Sequence, residues 1–322
     1  MNKKHNFFLL ILKGMAMGAA DVVPGVSGGT IAFITGIYEE LIETLSNLKL
    51  KLFKTLVTEG FKPFWKAING SFLFTLFTGI IISILSLAKL FKYLLEYYPI
   101  PLWSFFFGLI ALSVWMVGKK VKKWNIYTIL ALIAGTAISF YITIASPATG
   151  SDGLWYIFIC GMVAIIAMIL PGISGSFILL LMGAYTVLLT TVSDLIDHVK
   201  ADELRMVVGE LRILFVFFAG CVIGLLGFSR VLNWLFKKSH DIVIAVLSGF
   251  LLGSLNKIWP WKETIAYRLN SKGEEVPFLQ NNVLPNVIEN NYLIQAILLA
   301  LLGALIILVL NKYSPENNTK KG

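Results

Sequence analysis

A stretch of 28 residues occurs twice in the chain, and this duplication restricts the fold more than any other feature. Residues 14–41 align without a gap onto residues 161–188, and 11 of the 28 aligned positions are identical. Both copies contain the pattern Pro-Gly-x-Ser-Gly near their centre. The duplication predicts a chain of two related halves, residues 1–150 and 151–322.

The composition places these halves in a membrane. Hydrophobic residues make up 57% of the chain and charged residues 14%, whereas about a quarter of the residues in soluble domains are charged. A helix that crosses a bilayer needs about 20 mostly apolar residues, because each residue advances about 1.5 Å through a hydrocarbon core of about 30 Å. Six segments meet this requirement: 72–94, 100–118, 126–146, 211–229, 241–257 and 292–311.

Two further apolar regions, 7–45 and 154–195, are interrupted near the middle by proline and glycine. The arm before the first interruption is short for a crossing, so we predict that each region is a re-entrant hairpin of two half-helices, with two full spans as the alternative. Each half then has one hairpin and three spans. Because three is an odd number of crossings, the second half enters the membrane upside down. The predicted fold class is an all-α polytopic membrane protein with an inverted repeat.

Basic residues are unevenly distributed between the two sides of this arrangement. Of the 27 Lys and Arg residues, 17 lie on the side that holds both chain termini. Positive residues favour the cytoplasmic side, so both termini are predicted to be cytoplasmic, and the net charge of +9 requires no nucleic-acid partner. Segment 46–70 is predicted as an amphipathic helix on the inner surface, with a solvated linker as the alternative. Segment 258–291 is predicted as a solvated external loop.

The two interruptions also predict a binding site. Proline and glycine stop a helix and leave backbone N–H groups without intrahelical partners, and the positive end of a helix dipole favours an anion there. The alternative is that these small residues only allow helices to pack closely. The predicted helix-break residues are Pro24, Gly25, Pro171 and Gly172, and the predicted anion ligands are Ser27, Gly28, Gly29, Thr30, Ser174, Gly175 and Ser176.

Two acidic residues are candidates for binding a coupling ion or a proton. Asp21 is the one acid near an interruption, and a carboxylate within a membrane marks an ion or proton pathway; its alternative role is to cap or hydrogen-bond the neighbouring hairpin. Glu39 lies late in the second arm, where a solvated helix end is the simpler interpretation. The sequence contains neither a His and carboxylate cluster at metal-binding spacing nor a P-loop. We therefore predict no catalytic site, metal or cofactor.

The segments Ala20–Thr30 and Pro171–Ser176 resemble the bacterial polyprenyl-phosphate transporter family. The resemblance implies a non-enzymatic secondary transporter, a flippase that moves undecaprenyl phosphate across the bacterial cytoplasmic membrane for the recycling of this lipid carrier in cell-envelope synthesis. It also implies that the anion ligands bind the lipid phosphate and that an ion gradient drives transport. A passive water or anion channel and a membrane enzyme acting on the lipid carrier are the alternatives. The oligomeric state, including a homo-oligomer, is left open.

Overall fold

The computed structural model describes residues 6–23, 25–49, 51–151, 153–201, 204–269, 275–285 and 292–312. The elements within these ranges are α1 (Phe7–Val22), α2 (Gly28–Ile34), α3 (Tyr38–Ser46), α4 (Lys51–Glu59), α5 (Phe61–Ala67), α6 (Gly70–Tyr97), α7 (Pro99–Gly118), α8 (Ile126–Ile144), α9 (Leu154–Ile169), α10 (Gly175–Leu181), α11 (Ala184–Lys200), α12 (Leu204–Ser254), β1 (Lys262–Leu269), β2 (Glu275–Asn282) and α13 (Leu293–Lys312).

The two interrupted regions have the same order of helices. A helix of 16 residues, α1 or α9, is followed by a helix of seven residues, α2 or α10, and then by a third helix. Gly25 and Gly172 have φ values of +89° and +83° at the interruptions, where L side chains are disfavoured. We call residues 21–30 the first break and the aligned residues 168–177 the second break, so that each includes the end of one helix and the start of the next. Pro24 of the first break lies outside the described residues.

Each second arm is itself bent, which the prediction of two half-helices did not include. Gly36, with φ +74°, separates α2 from α3, and Gly183, with φ +66°, separates α10 from α11. The axes of α10 and α11 differ by 105°. The aligned positions of these glycines show that the duplicated sequence has a duplicated backbone course.

Four helices among the described residues are long and apolar enough to cross a membrane: α6, α7, α8 and α12. The bent pair of α10 and α11 adds a fifth candidate if the pair is one broken span. With 51 residues, α12 would measure about 77 Å if it were straight, far more than one bilayer core. Its backbone leaves the helical region at Ser239, between the predicted spans 211–229 and 241–257. The apolar part of α13, Leu293–Val309, is shorter than these candidates.

The prediction for segment 258–291 missed a β-hairpin. Strands β1 and β2 pair antiparallel, with an irregular register between Thr264 and Ala266. The Trp259 indole N–H donates to the Val283 carbonyl oxygen at 2.9 Å and closes the base of the hairpin. Segment 46–70 likewise contains two short helices, α4 and α5, which meet at Gly60 with φ +87°. The fold is therefore mostly helical with one small sheet.

Glycines bring the long helices into close contact in two matching ways. In the first half α1 packs on α6, where a Cβ on Gly14 or Gly79 would collide with backbone. Helix α9 packs in the same way on the part of α12 before Ser239, where a Cβ on Gly161 or Gly220 would collide with backbone. Such small residues let membrane helices approach closely. Two further close contacts join helices that are distant in the chain. Helix α7 packs on α13 through Gly108 and Gly303, and α8 packs on the later part of α12 through Gly135 and Gly249.

Candidate functional site: two helix breaks and a lysine pocket

The two breaks are in direct contact. The Ser27 hydroxyl donates to the carbonyl oxygen of Met168 at 2.8 Å, and the Gly172 N–H donates to the Thr30 hydroxyl oxygen at 2.8 Å. A Cβ on Gly29 would collide with the carbonyl oxygen of Ile169. The structure therefore brings together predicted site residues of both halves, from positions more than 140 residues apart in the chain.

The first break is closed by its own side chains. The Gly28 N–H donates to Oδ1 of Asp21 at 2.6 Å, and the Gly29 N–H donates to the Ser27 hydroxyl oxygen at 3.1 Å. All seven residues of α2 are buried, as is Ser27, which is 1% exposed. The N–H groups that the sequence analysis expects to be free at this break are thus bound within the protein, and Asp21 caps α2.

The second break is more open and has no acid. Met168 occupies the position that aligns with Asp21, and the Ser174 side chain makes no capping hydrogen bond to α10. The hydroxyl oxygens of Ser174 and Ser176 lie 3.0 Å apart. Ser174 is buried, Gly175 is half-buried and Ser176 is exposed. This break exposes the Ser176 hydroxyl, and no carboxylate occupies the start of its short helix.

Glu39 belongs to a different part of the molecule. Its Oε1 lies 3.1 Å from Nε2 of His240, which follows the interruption of α12 at Ser239. The Glu39 side chain is 49% exposed, and Asp241 on the other side of the histidine accepts the Lys123 N–H at 3.0 Å. The structure therefore groups Glu39 with a surface contact between α3 and α12, apart from Asp21 and the breaks.

Two lysines outside the predicted set of site residues lie beside the breaks. Lys257 follows α12, and its Cγ is 3.1 Å from the position of a Cβ on Gly25. Its Nζ lies 4.0 Å from the ring centroid of Phe177, in the first turn of α10, so this lysine contacts both interrupted regions. Lys262 donates from Nζ to the Lys257 carbonyl oxygen at 2.7 Å and lies 4.0 Å from the ring centroid of Trp103.

Both lysines line a pocket of about 320 Å³ between the ends of α8, α10 and α12 and the β-hairpin. Within the described part of the chain, neither ammonium group has an acidic partner in an ion pair. Burial and repulsion from Lys257 lower the pKa of Lys262 to about 7. The pocket thus combines two close basic side chains with apolar and amide surface. Its apolar lining residues include Ile144, Pro147, Phe177, Leu180, Leu181 and Ile265.

The fold and the site define the class of this protein. It is a multi-pass helical membrane protein in which two broken helices meet at buried polar groups, an architecture typical of secondary transporters. The sequence model of the undecaprenyl phosphate translocase-like family matches residues 17–276, and the chain belongs to this family. The resemblance seen in the two duplicated motifs is therefore confirmed.

Curated relatives cover most of the chain. A protein of Vibrio cholerae named Polyprenyl-phosphate transporter is 46% identical over 319 residues, which are 98% of this chain and 99% of the relative. A protein of Staphylococcus aureus with the same name is 33% identical over 265 residues, which are 78% of this chain and 85% of the relative. Both are named as transporters, which confirms the expectation of a protein that is not an enzyme. No solved structure matches the chain.

Proposed function

We propose that the protein is a secondary transporter that moves a polyprenyl phosphate across the bacterial cytoplasmic membrane and returns the lipid carrier for cell-envelope synthesis. The observation that carries the proposal is the direct contact between the two breaks. It occurs in a chain that is 46% identical, over nearly its whole length, to a protein named Polyprenyl-phosphate transporter. Undecaprenyl phosphate is the substrate that the family description favours.

The chemistry of the substrate explains why broken helices suit this task. A phosphate monoester carries a charge of about −1.5 to −2 at pH 7, and charge is costly in hydrocarbon. Irregular backbone is tolerated at membrane depth where it is buried in protein or lines a cavity, so the breaks supply polar groups along a path for the head group. The prenyl chain stays in lipid. In this conformation the phosphate reaches Ser174, Gly175 and Ser176, and Ser27–Thr30 bind it after the contact between the breaks opens.

An inverted repeat gives the two breaks their opposite access. We place the halves at residues 1–150 and 151–322, with both termini cytoplasmic. The matching glycine contacts of α1 with α6 and of α9 with α12 support two equivalent halves, and 17 of the 27 basic residues lie on the proposed inner side. In this arrangement α4 and α5 lie at the inner surface and the β-hairpin lies outside.

Asp21 is the proposed coupling group, because it connects a proton-binding side chain directly to the first break. The carboxylate accepts the Gly28 N–H at 2.6 Å, and a charged acceptor binds an N–H more strongly than a neutral one does. Protonation of Asp21 therefore weakens the closure of the first break. Glu39 is the second candidate, but its exposed contact with His240 offers no direct connection to either break.

Reconstitution tests the proposed function. The full chain is placed in vesicles that contain undecaprenyl phosphate, and the outward-facing fraction of the lipid is followed with and without a pH gradient. We expect protein-dependent translocation that the gradient accelerates. Vesicles in which the lipid does not move would contradict the proposal. Water or ion permeability without any dependence on the lipid would indicate a passive channel instead.

A further inference from the structure

We propose that the pocket of Lys257 and Lys262 is a binding site for the phosphate head group of a prenyl phosphate, on the face of the protein that carries the β-hairpin. The ligand class is a phosphate monoester with an apolar chain. This inference rests on the proposed function and deepens it, because it assigns a head-group site beside the breaks to residues outside the duplicated motif.

The charge of the pocket supports an anionic ligand. Two ammonium groups share a pocket, and the described side chains supply no carboxylate to pair with either of them. Partly buried positive charges are stabilised by a partner of opposite charge. Among the described residues, the Lys262 ammonium group donates one hydrogen bond, to the Lys257 carbonyl oxygen, so it has further N–H donors to offer a ligand. A phosphate monoester, with a charge of about −1.5 to −2 at pH 7, matches two lysines.

The shape and lining of the pocket support an amphipathic ligand. Its volume of about 320 Å³ is near the lower end of the range of about 300–1,000 Å³ for ligand pockets, which suits a head group with its first prenyl units and excludes a complete long chain. Ile144, Leu181 and Ile265 supply apolar surface next to the lysines. Ile144 and Ile265 are 58% and 60% exposed, so the apolar side of the pocket is open and the chain of the ligand can continue out of it.

The location of the pocket connects it to the breaks. Lys257 contacts Gly25 of the first break and the ring of Phe177, which directly follows Ser176 of the second break. An anion bound by Lys257 therefore lies beside the groups that are proposed to pass the phosphate through the membrane. Binding here also changes a side chain that packs against both interrupted regions, so head-group binding and movement of the breaks involve the same residue.

Binding of farnesyl phosphate to the purified full chain tests this site. We compare the wild type with Lys257→Gln, Lys262→Gln and the double variant, and with Lys89→Gln in the exposed last part of α6 as the matched control. Because a hydrogen bond to a charged group contributes strongly, each pocket substitution should weaken binding about tenfold, while Lys89→Gln changes it less than about twofold. Lys262→Arg keeps the charge and should retain most of the affinity. Unchanged binding in the double variant would overturn the assignment.

Two further ligands identify which part of the molecule is recognised. Farnesol has the chain without the phosphate, and inorganic phosphate has the charge without the chain. We expect both to bind much more weakly than farnesyl phosphate. Inorganic phosphate that binds as tightly as farnesyl phosphate would overturn the lipid assignment in favour of free phosphate. Farnesol that binds equally well would overturn the role of the lysines.

Lysine footprinting keeps the test independent of the folding of the variants. Reductive methylation of the wild type, analysed by mass spectrometry, should show protection of Lys257 and Lys262 by farnesyl phosphate and no protection of Lys89. Absence of protection would contradict the inference. The vesicle assay separates the two proposals. Normal translocation by the double variant would overturn only the lysine site. A wild type that moves no polyprenyl phosphate would overturn the proposed function, and the binding measurements would then decide the lysine site alone.

Discussion

The first and second breaks derive from the same duplicated motif but end their short helices differently. At the first break, the Asp21 carboxylate and the Ser27 hydroxyl accept the first two N–H groups of α2. At the second break, Met168 replaces the acid, and Ser174 contacts Ser176 without capping α10. Every residue of α2 is buried, whereas Ile178 is the buried residue of α10. The first break is closed, whereas the second exposes Ser176 at the start of α10.

This difference suggests how a repeated fold separates two tasks. An acid at one break makes that break sensitive to protonation, and its absence from the other leaves hydroxyl groups for an anion that an acid would repel. Lys257 contacts both breaks, but its charged Nζ lies over Phe177 of the second break, in the first turn of α10. We infer that the first break controls opening and the second break receives the substrate.

The largest expected effect comes from forcing the two breaks apart. In Gly29→Ala the new Cβ would meet the backbone oxygen of Ile169, which no side-chain rotation relieves. We expect a loss of about 3 kcal/mol in the free energy of unfolding, at the upper end of overpacking effects, together with loss of transport. Gly227→Ala is the control, since nothing lies within 4 Å of its Cβ, and thermal unfolding should show it unchanged or slightly stabilised. Equal stability of the two variants would contradict the close contact.

The next effect distinguishes the two acidic candidates. Asp21→Asn retains an oxygen that accepts the Gly28 N–H but removes the charge, so it should preserve folding and lower gradient-driven translocation about tenfold. Glu39→Gln alters a half-exposed contact with His240 and should change the rate less than about twofold. Initial rates in vesicles with a pH gradient measure both. If Glu39→Gln lowered the rate more than Asp21→Asn, Asp21 would not be the coupling group.

The smallest effect separates stability from transport at the two breaks. Ser27→Ala leaves the Met168 carbonyl oxygen and the buried Gly29 N–H without their hydroxyl partner, so it should cost about 1–2 kcal/mol of stability. Ser176→Ala removes an exposed hydroxyl and should leave stability within about 0.5 kcal/mol while it slows translocation. Parallel measurements of unfolding and translocation check this division. If the two serine variants lost stability and transport to the same extent, the breaks would be equivalent.

Local signals in the sequence predicted much of the helical framework. Apolar length and the Pro-Gly signals located α6, α7, α8 and both interrupted regions. The β-hairpin was missed because its strands are polar, its register is irregular near Thr264, and Pro277 lies within β2.

The lysine pocket depends on contacts between distant parts of the chain. Lys257 contacts Gly25 and Phe177, and no local pattern connects these three positions. Lys257 and Lys262 therefore looked like ordinary basic residues at a helix end and in a loop. The role of Asp21 as a cap was one of two interpretations at the sequence level, and the hydrogen bond with Gly28 became evident only when α1 and α2 were placed together.

Cysteine labelling at the two breaks tests the central difference most directly. With Cys160 and Cys221 replaced by alanine, single Ser27→Cys and Ser176→Cys variants in vesicles are treated with a water-soluble maleimide, with and without farnesyl phosphate. The difference in exposure between the two serines predicts labelling of Ser176→Cys, protection of this site by the lipid, and no labelling of Ser27→Cys. Equal labelling of the two positions, or labelling of Ser27→Cys alone, would contradict a closed first break and an accessible second break.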